Sequence, residues 1–126
     1  MTYTVIVAED EELLLTNLVQ KIQKADPDFQ VAGTAQTGDQ ALALVEKLSP
    51  DLVVTDIRMP VMDGISASYA IRKLEHPDAQ NIPIIAITAN TFAKDLERCR
   101  LAGMNEHLSK PLNIRQLISI LSKFKK

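Results

Sequence analysis

Residues 51–64 read D-L-V-V-T-D-I-R-M-P-V-M-D-G, and the start of this stretch decides the fold class. Residues 52–55 form a short continuous apolar run, which is typical of a strand that is covered on both faces. Asp56 closes the run, and Pro60 and Gly64 then mark a turn before the next helical pattern. A strand of this kind indicates a parallel sheet between two layers of helices.

The regions on either side repeat the same alternation of strand and helix patterns. Apolar runs typical of strands cover residues 3–8, 29–35, 52–55, 83–88 and 106–109. Helical periodicity covers residues 11–25, 39–48, 65–74, 92–102 and 114–124. Strands that alternate with helices in this way predict right-handed βαβ units around one parallel sheet. We therefore expect a single α/β domain over residues 1–126.

The composition is that of an ordinary soluble globular domain. The 126 residues are 46% hydrophobic and 24% charged, and the net charge of −2 gives no basic field that would attract nucleic acid. The basic residues Lys123, Lys125 and Lys126 are interpreted as cations near a helix C-terminus. The single Cys99 excludes an internal disulfide. No signal-peptide pattern or apolar run of membrane length is present, so we expect a cytoplasmic protein without membrane contact.

Polar side chains follow four of the five predicted strands. Glu9 and Asp10 come after the first, Asp56 ends the third, Thr88 ends the fourth and Lys110 follows the fifth. The carboxyl ends of parallel strands share one edge of the sheet, where ligands bind in open α/β folds. Three carboxylates at that edge would repel one another, and Mg²⁺, which prefers oxygen ligands, would relieve the repulsion. With a lysine and a hydroxyl to hold phosphoryl oxygens, the pattern suggests phosphoryl transfer onto an aspartate.

Each of these residues also has an ordinary structural interpretation. Asp56 fits a helix cap or turn, Thr88 fits the end of any strand, and Lys110 fits a solvated surface position. Glu9 and Asp10 fit acids that face the dipole of the first helix. Four such coincidences in one register are improbable together, which favours a shared site.

Four segments resemble the response-regulator receiver domain in order, spacing and length. They are V-I-V-A-E-D-E-E, T-D-I-R-M-P-V-M-D-G, I-I-A-I-T-A-N and H-L-S-K-P, and the resemblance covers nearly the whole chain. It implies a flavodoxin-like (βα)5 receiver domain with a five-stranded parallel sheet of order 2-1-3-4-5 and helices on both faces. The first half resembles receivers that begin DNA-binding regulators, and the second half resembles receivers of hybrid sensor kinases.

The resemblance implies that Asp56 is the phosphoacceptor, which takes a phosphoryl group from a phosphohistidine. Asp56, Asp10 and the backbone carbonyl of Arg58 would ligate Mg²⁺, and Glu9 would reach the ion through water. The donor would be a sensor histidine kinase or a histidine phosphotransfer domain in a two-component system or phosphorelay, and the sequence does not identify the output partner. The chain would be a signalling switch with self-catalysed phosphorylation and dephosphorylation, rather than an enzyme.

The switching residues are also implied by the resemblance. Lys110 would contact the phosphoryl oxygens, and Thr88 would move to donate a hydrogen bond to them in the active state. His107 stands three residues before Lys110, at the switch position where family members often have tyrosine or phenylalanine. The family also makes the Lys110–Pro111 bond cis, and Pro111 would contribute to the surface that binds the partner.

The first helix begins with three consecutive leucines, residues 13–15. At about 100° per residue they span roughly 200° of the helix, so they cannot all face the sheet. We predict an inward stripe with Leu15 and Val19 at its flanks; the stripe consists of Leu14, Leu18, Ile22 and Ala25. Leu13 points nearly opposite. Because this helix docks against the helix bundle of the phosphohistidine donor in receivers, Leu13 is predicted to anchor that bundle.

Two other classes of function are weighed against the phosphorylated switch. A haloacid-dehalogenase-like hydrolase also uses an aspartate nucleophile, but it needs a second aspartate two residues later, where this chain has Arg58. A receiver-shaped scaffold that never takes phosphate would keep the fold alone. The acidic pair, Thr88 and Lys110 argue against that scaffold.

Overall fold

The computed structural model describes residues 2–75, 78–89 and 93–125. Its strands are β1 (Tyr3–Ala8), β2 (Phe29–Ala35), β3 (Leu52–Asp56), β4 (Ile84–Thr88) and β5 (Glu106–Ser109). Its helices are α1 (Glu12–Ala25), α2 (Gly38–Leu48), α3 (Gly64–Arg72), α4 (Ala93–Leu101) and α5 (Ile114–Ser122). All ten predicted elements are therefore present, with ends that differ by up to two residues. The predicted start of the fourth helix at Phe92 lies outside the described residues.

The five strands form one parallel sheet of order β2-β1-β3-β4-β5, which confirms the predicted topology. From β1, the chain first adds β2 on one side and then β3 on the other, so the strand order reverses between β1 and β3. This is the topological switch point, where open α/β sheets bind ligands. In register, Ala8 pairs with Thr55, so the residues that follow β1 lie beside the end of β3. Thr88 pairs with Ser109, which brings the ends of β4 and β5 to the same edge.

Different helices cover the two faces of the sheet. α1 and α5 pack on one face in a cluster that includes Val5 and Val7, and α2, α3 and α4 pack on the other in a cluster that includes Ile6. Consecutive residues of β1 thus serve opposite layers, and all five residues of β3 are buried. This explains why the central strands lack polar alternation. Within the described residues, no helix combines the length and apolar character that a membrane span requires.

The predicted inward stripe of α1 is partly wrong. Leu15, Leu18 and Ile22 are buried, whereas Leu14 is 40% exposed and Ala25 is exposed. Periodicity alone fits a stripe that starts at either leucine, because residues three and four apart share one face of a helix. α1 packs against both the sheet and α5. In this orientation Leu15 belongs to the buried core cluster, while Leu14 lies at the partly exposed flank of the helix.

Candidate functional site

The three predicted acidic residues come together at the carboxyl edge of the sheet. Glu9 directly follows β1 and Asp56 ends β3, so adjacent strands bring both residues to the switch point. Together with Asp10, each offers a carboxylate oxygen, and these oxygens all lie within 4.8 Å of one another. Glu9 and Asp56 are each only 4% exposed, whereas Asp10 is exposed. The site is therefore a buried acidic pocket that opens to solvent beside Asp10.

One lysine bridges the two buried acids. Lys110 Nζ donates hydrogen bonds to Asp56 Oδ2 at 2.9 Å and to Glu9 Oε1 at 3.1 Å. Its backbone N–H donates to the carbonyl of Thr88 at 2.9 Å, so the end of β4 fixes where the lysine enters the pocket. When all groups are ionised, three carboxylates face one ammonium, and the pocket carries two negative charges in excess.

Burial dominates the electrostatics of Glu9. Its pKa is raised to about 7, chiefly because burial removes water from the carboxylate. The neighbouring Asp56 and Asp10 act in the same direction, and the hydrogen bond from Lys110 opposes them. Burial would lower the pKa of Lys110, but its bonds to Asp56 and Glu9 outweigh burial and raise it. The lysine thus stays charged while Glu9 titrates near neutrality.

Backbone groups hold the carboxylates in place. The N–H of Arg58 donates to Asp56 Oδ1 at 3.2 Å, and the N–H of Asp10 donates to Glu9 Oε2 at 2.9 Å. A Cβ at Gly64 would lie 2.2 Å from the carbonyl oxygen of Asp56, so only glycine allows α3 to begin this close to the phosphoacceptor candidate. Whether the Arg58 carbonyl binds a metal stays a prediction.

The other predicted site residues surround this pocket at different depths. Thr88 is buried at the end of β4, the strand next to β3. Pro111 is exposed and follows a cis peptide bond, as the resemblance implied. His107 lies on the edge strand β5 and is exposed, beside a surface groove that also includes Arg115 and Lys123. Leu13 is 74% exposed at the start of α1, as predicted.

Among the residues that the structure describes, two cavities adjoin the pocket, and neither was predicted from the sequence. An apolar groove of about 530 Å³ runs between α1 and α5 and reaches Glu9 and Lys110. Its apolar lining includes Leu14, Leu18, Pro111, Leu112, Ile114 and Leu117. In the sequence, this groove was indicated only by the consecutive leucines at the start of α1. A second, more polar cleft of about 580 Å³ opens from Asp10 toward α4, with Arg58, Asp95 and Arg98 on its walls.

Comparison with known proteins gives one consistent family. The family model described as the response regulator receiver domain matches residues 5–122. The chain is 34% identical over 122 residues to hybrid signal transduction histidine kinase K of Dictyostelium discoideum, covering 93% of this chain and 10% of that protein. It is 35% identical over 114 residues to transcriptional regulatory protein PdtaR of Mycobacterium tuberculosis, covering 90% of this chain and 52% of that protein. The chain thus spans about half or less of the length of these relatives.

Solved structures agree with the sequence relatives. The receiver domain of a sensor histidine kinase of Pseudomonas aeruginosa superposes with a TM-score of 0.84 at 31% identity, covering 98% of each chain. That structure is described as having a magnesium ion coordinated in its active site cleft. The overall likeness therefore extends across the whole sheet.

Proposed function

Because the chain belongs to the response regulator receiver family, we propose that Asp56 accepts a phosphoryl group from a phosphohistidine and that this switches a partner-binding surface. Receiver domains are signalling switches, and what is proposed for this chain is the acceptor residue, Asp56, and the chemical nature of the donor, a phosphohistidine. The observation that carries it is the buried Asp56 carboxylate, held 2.9 Å from Lys110 Nζ inside the cluster of three acids. If Asp56 only capped a helix or a turn, its carboxylate would not need to be buried or to be paired with Lys110.

The donor set fits Mg²⁺. Glu9, Asp10 and Asp56 offer only oxygen atoms, and their excess of two negative charges over Lys110 matches a dication. Asp10, Asp56 and the carbonyl of Arg58 would hold the ion, with Glu9 reaching it through water. When bound, Mg²⁺ supplies charge neutralisation, which lets the anionic carboxylate and the anionic phosphoryl group approach each other.

The residues of the chain then perform an in-line transfer. An oxygen of Asp56 forms a bond to phosphorus while the phosphorus–nitrogen bond of the phosphohistidine breaks, and its electron pair returns to the imidazole nitrogen. Lys110, which lies between Glu9 and Asp56, contacts the phosphoryl oxygens through its ammonium group. Thr88 donates a hydrogen bond to them from the neighbouring strand. Positioning and charge supply nearly all of the catalysis in such transfers. Attack by water on the same phosphorus reverses the switch.

The donor is a sensor histidine kinase or a histidine phosphotransfer domain, and it docks over the carboxyl edge. Leu13 is exposed at the start of α1, and Leu14 and Pro111 line the apolar groove that reaches Lys110. These side chains would pack against the donor's helix bundle while the donor presents the phosphohistidine to Asp56. His107, exposed on β5, is proposed as the residue that changes position when Thr88 moves.

Labelling by acetyl phosphate in Mg²⁺ tests the acceptor chemistry without a protein donor. Intact-mass and peptide mass spectrometry should find one phosphoryl group on Asp56. Asp56→Asn should abolish the label and Asp10→Asn should strongly reduce it, while the control Glu46→Gln, an exposed acid on α2, should leave it unchanged. A chain that stays unlabelled by acetyl phosphate and by every autophosphorylated kinase of its organism would be a scaffold instead.

Leu13→Asp tests the docking surface. The variant should slow transfer from the protein donor at least tenfold, because a charge replaces an apolar contact worth on the order of 1.4 kcal/mol. Acetyl phosphate labelling and the melting temperature of Leu13→Asp should stay nearly unchanged. Both should also stay nearly unchanged in the control Leu101→Asp, which replaces an exposed leucine of α4. Equal loss with both donors would show that the pocket itself was disturbed, and no loss would show that Leu13 is only a solvated leucine.

A further inference from the structure

The two edge strands of the sheet are protected from pairing with another chain to very different degrees. β5 has four residues, of which Glu106 forms an ion pair with Lys123 at 3.7 Å and His107 is exposed. β2 has seven residues, and residues 29–37, which include it, read F-Q-V-A-G-T-A-Q-T without a charge. Shortness and charged side chains are common devices that keep edge strands from pairing between molecules, and β2 has neither.

The direction of the β2 backbone groups follows from one hydrogen bond. The carbonyl of Ala35 accepts from the N–H of Glu9 at 2.9 Å, so the backbone of Ala35 faces β1. Successive residues of a strand direct their N–H and C=O groups to opposite sides. Gly33 therefore also faces β1, whereas Ala32 and Thr34 direct their backbone groups away from the sheet.

α1 and an irregularity in the pairing protect the first half of this edge. The N–H of Val31 donates to Gln23 Oε1 at 3.4 Å, so a side chain of α1 takes up that outward group. The register between β1 and β2 also shifts after Val31, and bulges of this kind interrupt pairing at sheet edges. Beyond it, Ala32 and Thr34 are exposed, so residues 32–34 are the part of the edge that is open to another strand.

A glycine stands at the centre of this open segment. If two copies of β2 pair antiparallel about Gly33, Ala32 of each copy lies opposite Thr34 of the other. Both pairs are then hydrogen-bonded pairs, which exchange two N–H···O bonds each. The two glycines form the non-hydrogen-bonded pair between them, where Cα atoms approach to about 4.5 Å. The open segment is thus complementary to itself.

Apolar side chains of α2 lie over the same glycine. A Cβ at Gly33 would lie 3.2 Å from Leu44 Cδ1 and 3.4 Å from Leu48 Cδ1. Leu44 is half-buried and Leu48 is 40% exposed. A two-fold axis perpendicular to the sheet keeps each helix layer on its own face, so the two α2 helices become neighbours across the glycine pair. Their leucines would then cover the new strand pair and bury the apolar surface that each copy exposes alone.

The polar side chains beside this edge also suit an identical partner. Apart from Glu12, the polar residues that line the groove between α1 and the end of β2 are uncharged: Thr16, Gln20, Thr34, Gln36 and Gln40. An amide both donates and accepts hydrogen bonds, so it can pair with its own copy, whereas two like charges would repel. An uncharged edge of this kind favours a second copy over a partner that is recognised by charge.

We propose that β2 pairs antiparallel with β2 of a second copy of this chain, centred on Gly33, so that two five-stranded sheets join into one. The contact is small, and we expect a weak dimer with a Kd on the order of 100 µM. The pairing uses no residue of the acidic pocket, so it needs neither Mg²⁺ nor a phosphoryl group. β5 and α5 stay accessible, because β5 is the opposite edge of the sheet.

Sedimentation equilibrium of the whole chain, without Mg²⁺ or a phosphoryl donor, measures the association. Concentrations from about 10 µM to about 1 mM bracket the expected Kd. Thr34→Lys places a charge on the pairing edge, and Leu48→Lys places one among the leucines of α2. Each should weaken the dimer at least tenfold, which corresponds to about 1.4 kcal/mol. The control Ser119→Lys, at an exposed position of α5 beside the opposite edge, should leave the Kd within about twofold and should match the other variants in melting temperature.

A cross-link tests the register of the pairing. Gly33→Cys should form an intermolecular disulfide under mild oxidation, because the two positions face each other at the axis, and Thr34→Lys in the same chain should suppress it. Ser119→Cys should not cross-link at the same rate, and neither should the wild type, whose Cys99 is buried. A chain that stays monomeric up to about 1 mM would overturn the inference. A dimer that both lysine variants leave intact would place the interface on another surface, and equal cross-linking of Gly33→Cys and Ser119→Cys would show random collision instead of a defined strand pair.

Discussion

Two lysines in this molecule each bridge two carboxylates, yet their surroundings have opposite consequences. Lys110 contacts Glu9 and Asp56 at 3.1 and 2.9 Å, and Lys125 contacts Asp26 and Asp28 at 2.8 and 3.0 Å. Both lysine side chains are 28% exposed, so the lysines themselves do not account for the difference.

The carboxylates differ in burial. Around Lys125, the pKa of Asp26 is lowered because Lys125 and the backbone N–H of Asp28 donate to it, and the ammonium also lies 5.1 Å from the centre of the Phe29 ring. Around Lys110, the pKa of Glu9 is raised to about 7 because burial outweighs the ion pair. One cluster joins the C-terminal end of the chain to the turn before β2. The other holds charge that the fold alone does not satisfy, which is expected of a site that binds a cation and a phosphoryl group.

Removing each lysine should separate the two clusters most clearly. Lys110→Met leaves two buried carboxylates without a cation, and we expect a loss of stability on the order of 3 kcal/mol at pH 8 without Mg²⁺. Lys125→Met exposes its partners to water and should cost much less. Urea unfolding of both variants measures the difference. Equal losses would contradict the contrast between an unsatisfied pocket and a surface ion pair.

The pH dependence of stability should differ in sign between the clusters. The pKa of Glu9 is raised from 4.5 to about 7 in the folded state, so the folded state binds a proton that the unfolded state releases. Stability should therefore fall as pH rises from about 4.5 to 7, by an amount on the order of 3 kcal/mol. The pKa of Asp26 is lowered from 3.8, so its contribution is present above pH 3.8 and is lost in stronger acid.

Unfolding free energies measured across this range check both windows. Glu9→Gln should remove the decline between pH 4.5 and 7 and leave the loss in acid intact, whereas Asp26→Asn should do the reverse. A wild-type protein whose stability does not change between pH 4.5 and 7 would show that folding does not raise the pKa of Glu9.

Magnesium should act on one cluster only. At about tenfold excess over Kd, Mg²⁺ should stabilise the fold by about 1.4 kcal/mol, since it binds the folded pocket and not the unfolded chain. Its affinity should weaken below pH 7, because protons compete with the ion for Glu9. Asp10→Asn should remove the response and also raise the melting point without metal by relieving repulsion. Its matched control Asp28→Asn, in the Lys125 cluster, should keep the response. A metal-independent melting point in the wild type would argue against the proposed site.

Sequence reasoning reached the sheet and the pocket for the same physical reason. A parallel strand that is buried on both faces leaves a continuous apolar run, and the chain must place its polar groups just beyond it, as Asp56 and Thr88 show. These are local patterns, whereas the strand order that brings the polar groups together was implied by the resemblance to receiver domains.

The features that sequence reasoning missed depend on tertiary contacts. Two alternative inward stripes of α1, starting at Leu14 or at Leu15, fit the same periodicity, and only the packing of α1 in the folded molecule decides that Leu15 is buried while Leu14 is 40% exposed. Lys125 was interpreted as a cation at a helix end, but its partners lie 99 and 97 residues away in the chain. The positive φ of Val61, in the loop between β3 and α3, has no periodic signal at all, because it is imposed by backbone bonds to α2 and within the turn.

The smallest expected effect is a change in the surroundings of His107. With Mg²⁺ and beryllofluoride, a phosphoryl mimic, Thr88 should move toward Asp56 and leave space at the β4–β5 edge that the imidazole can enter. His107 pairs in register with Ala86, two residues before Thr88, so the two strands can transmit this shift. NMR spectra should show altered imidazole resonances of His107, while the backbone resonances of Asp26 and Asp28 stay in place. The Lys125 cluster is thus an internal reference in the same spectrum. Unchanged His107 resonances in a sample whose Asp56 signals have shifted would exclude it as the switch residue and would confine the response to the pocket.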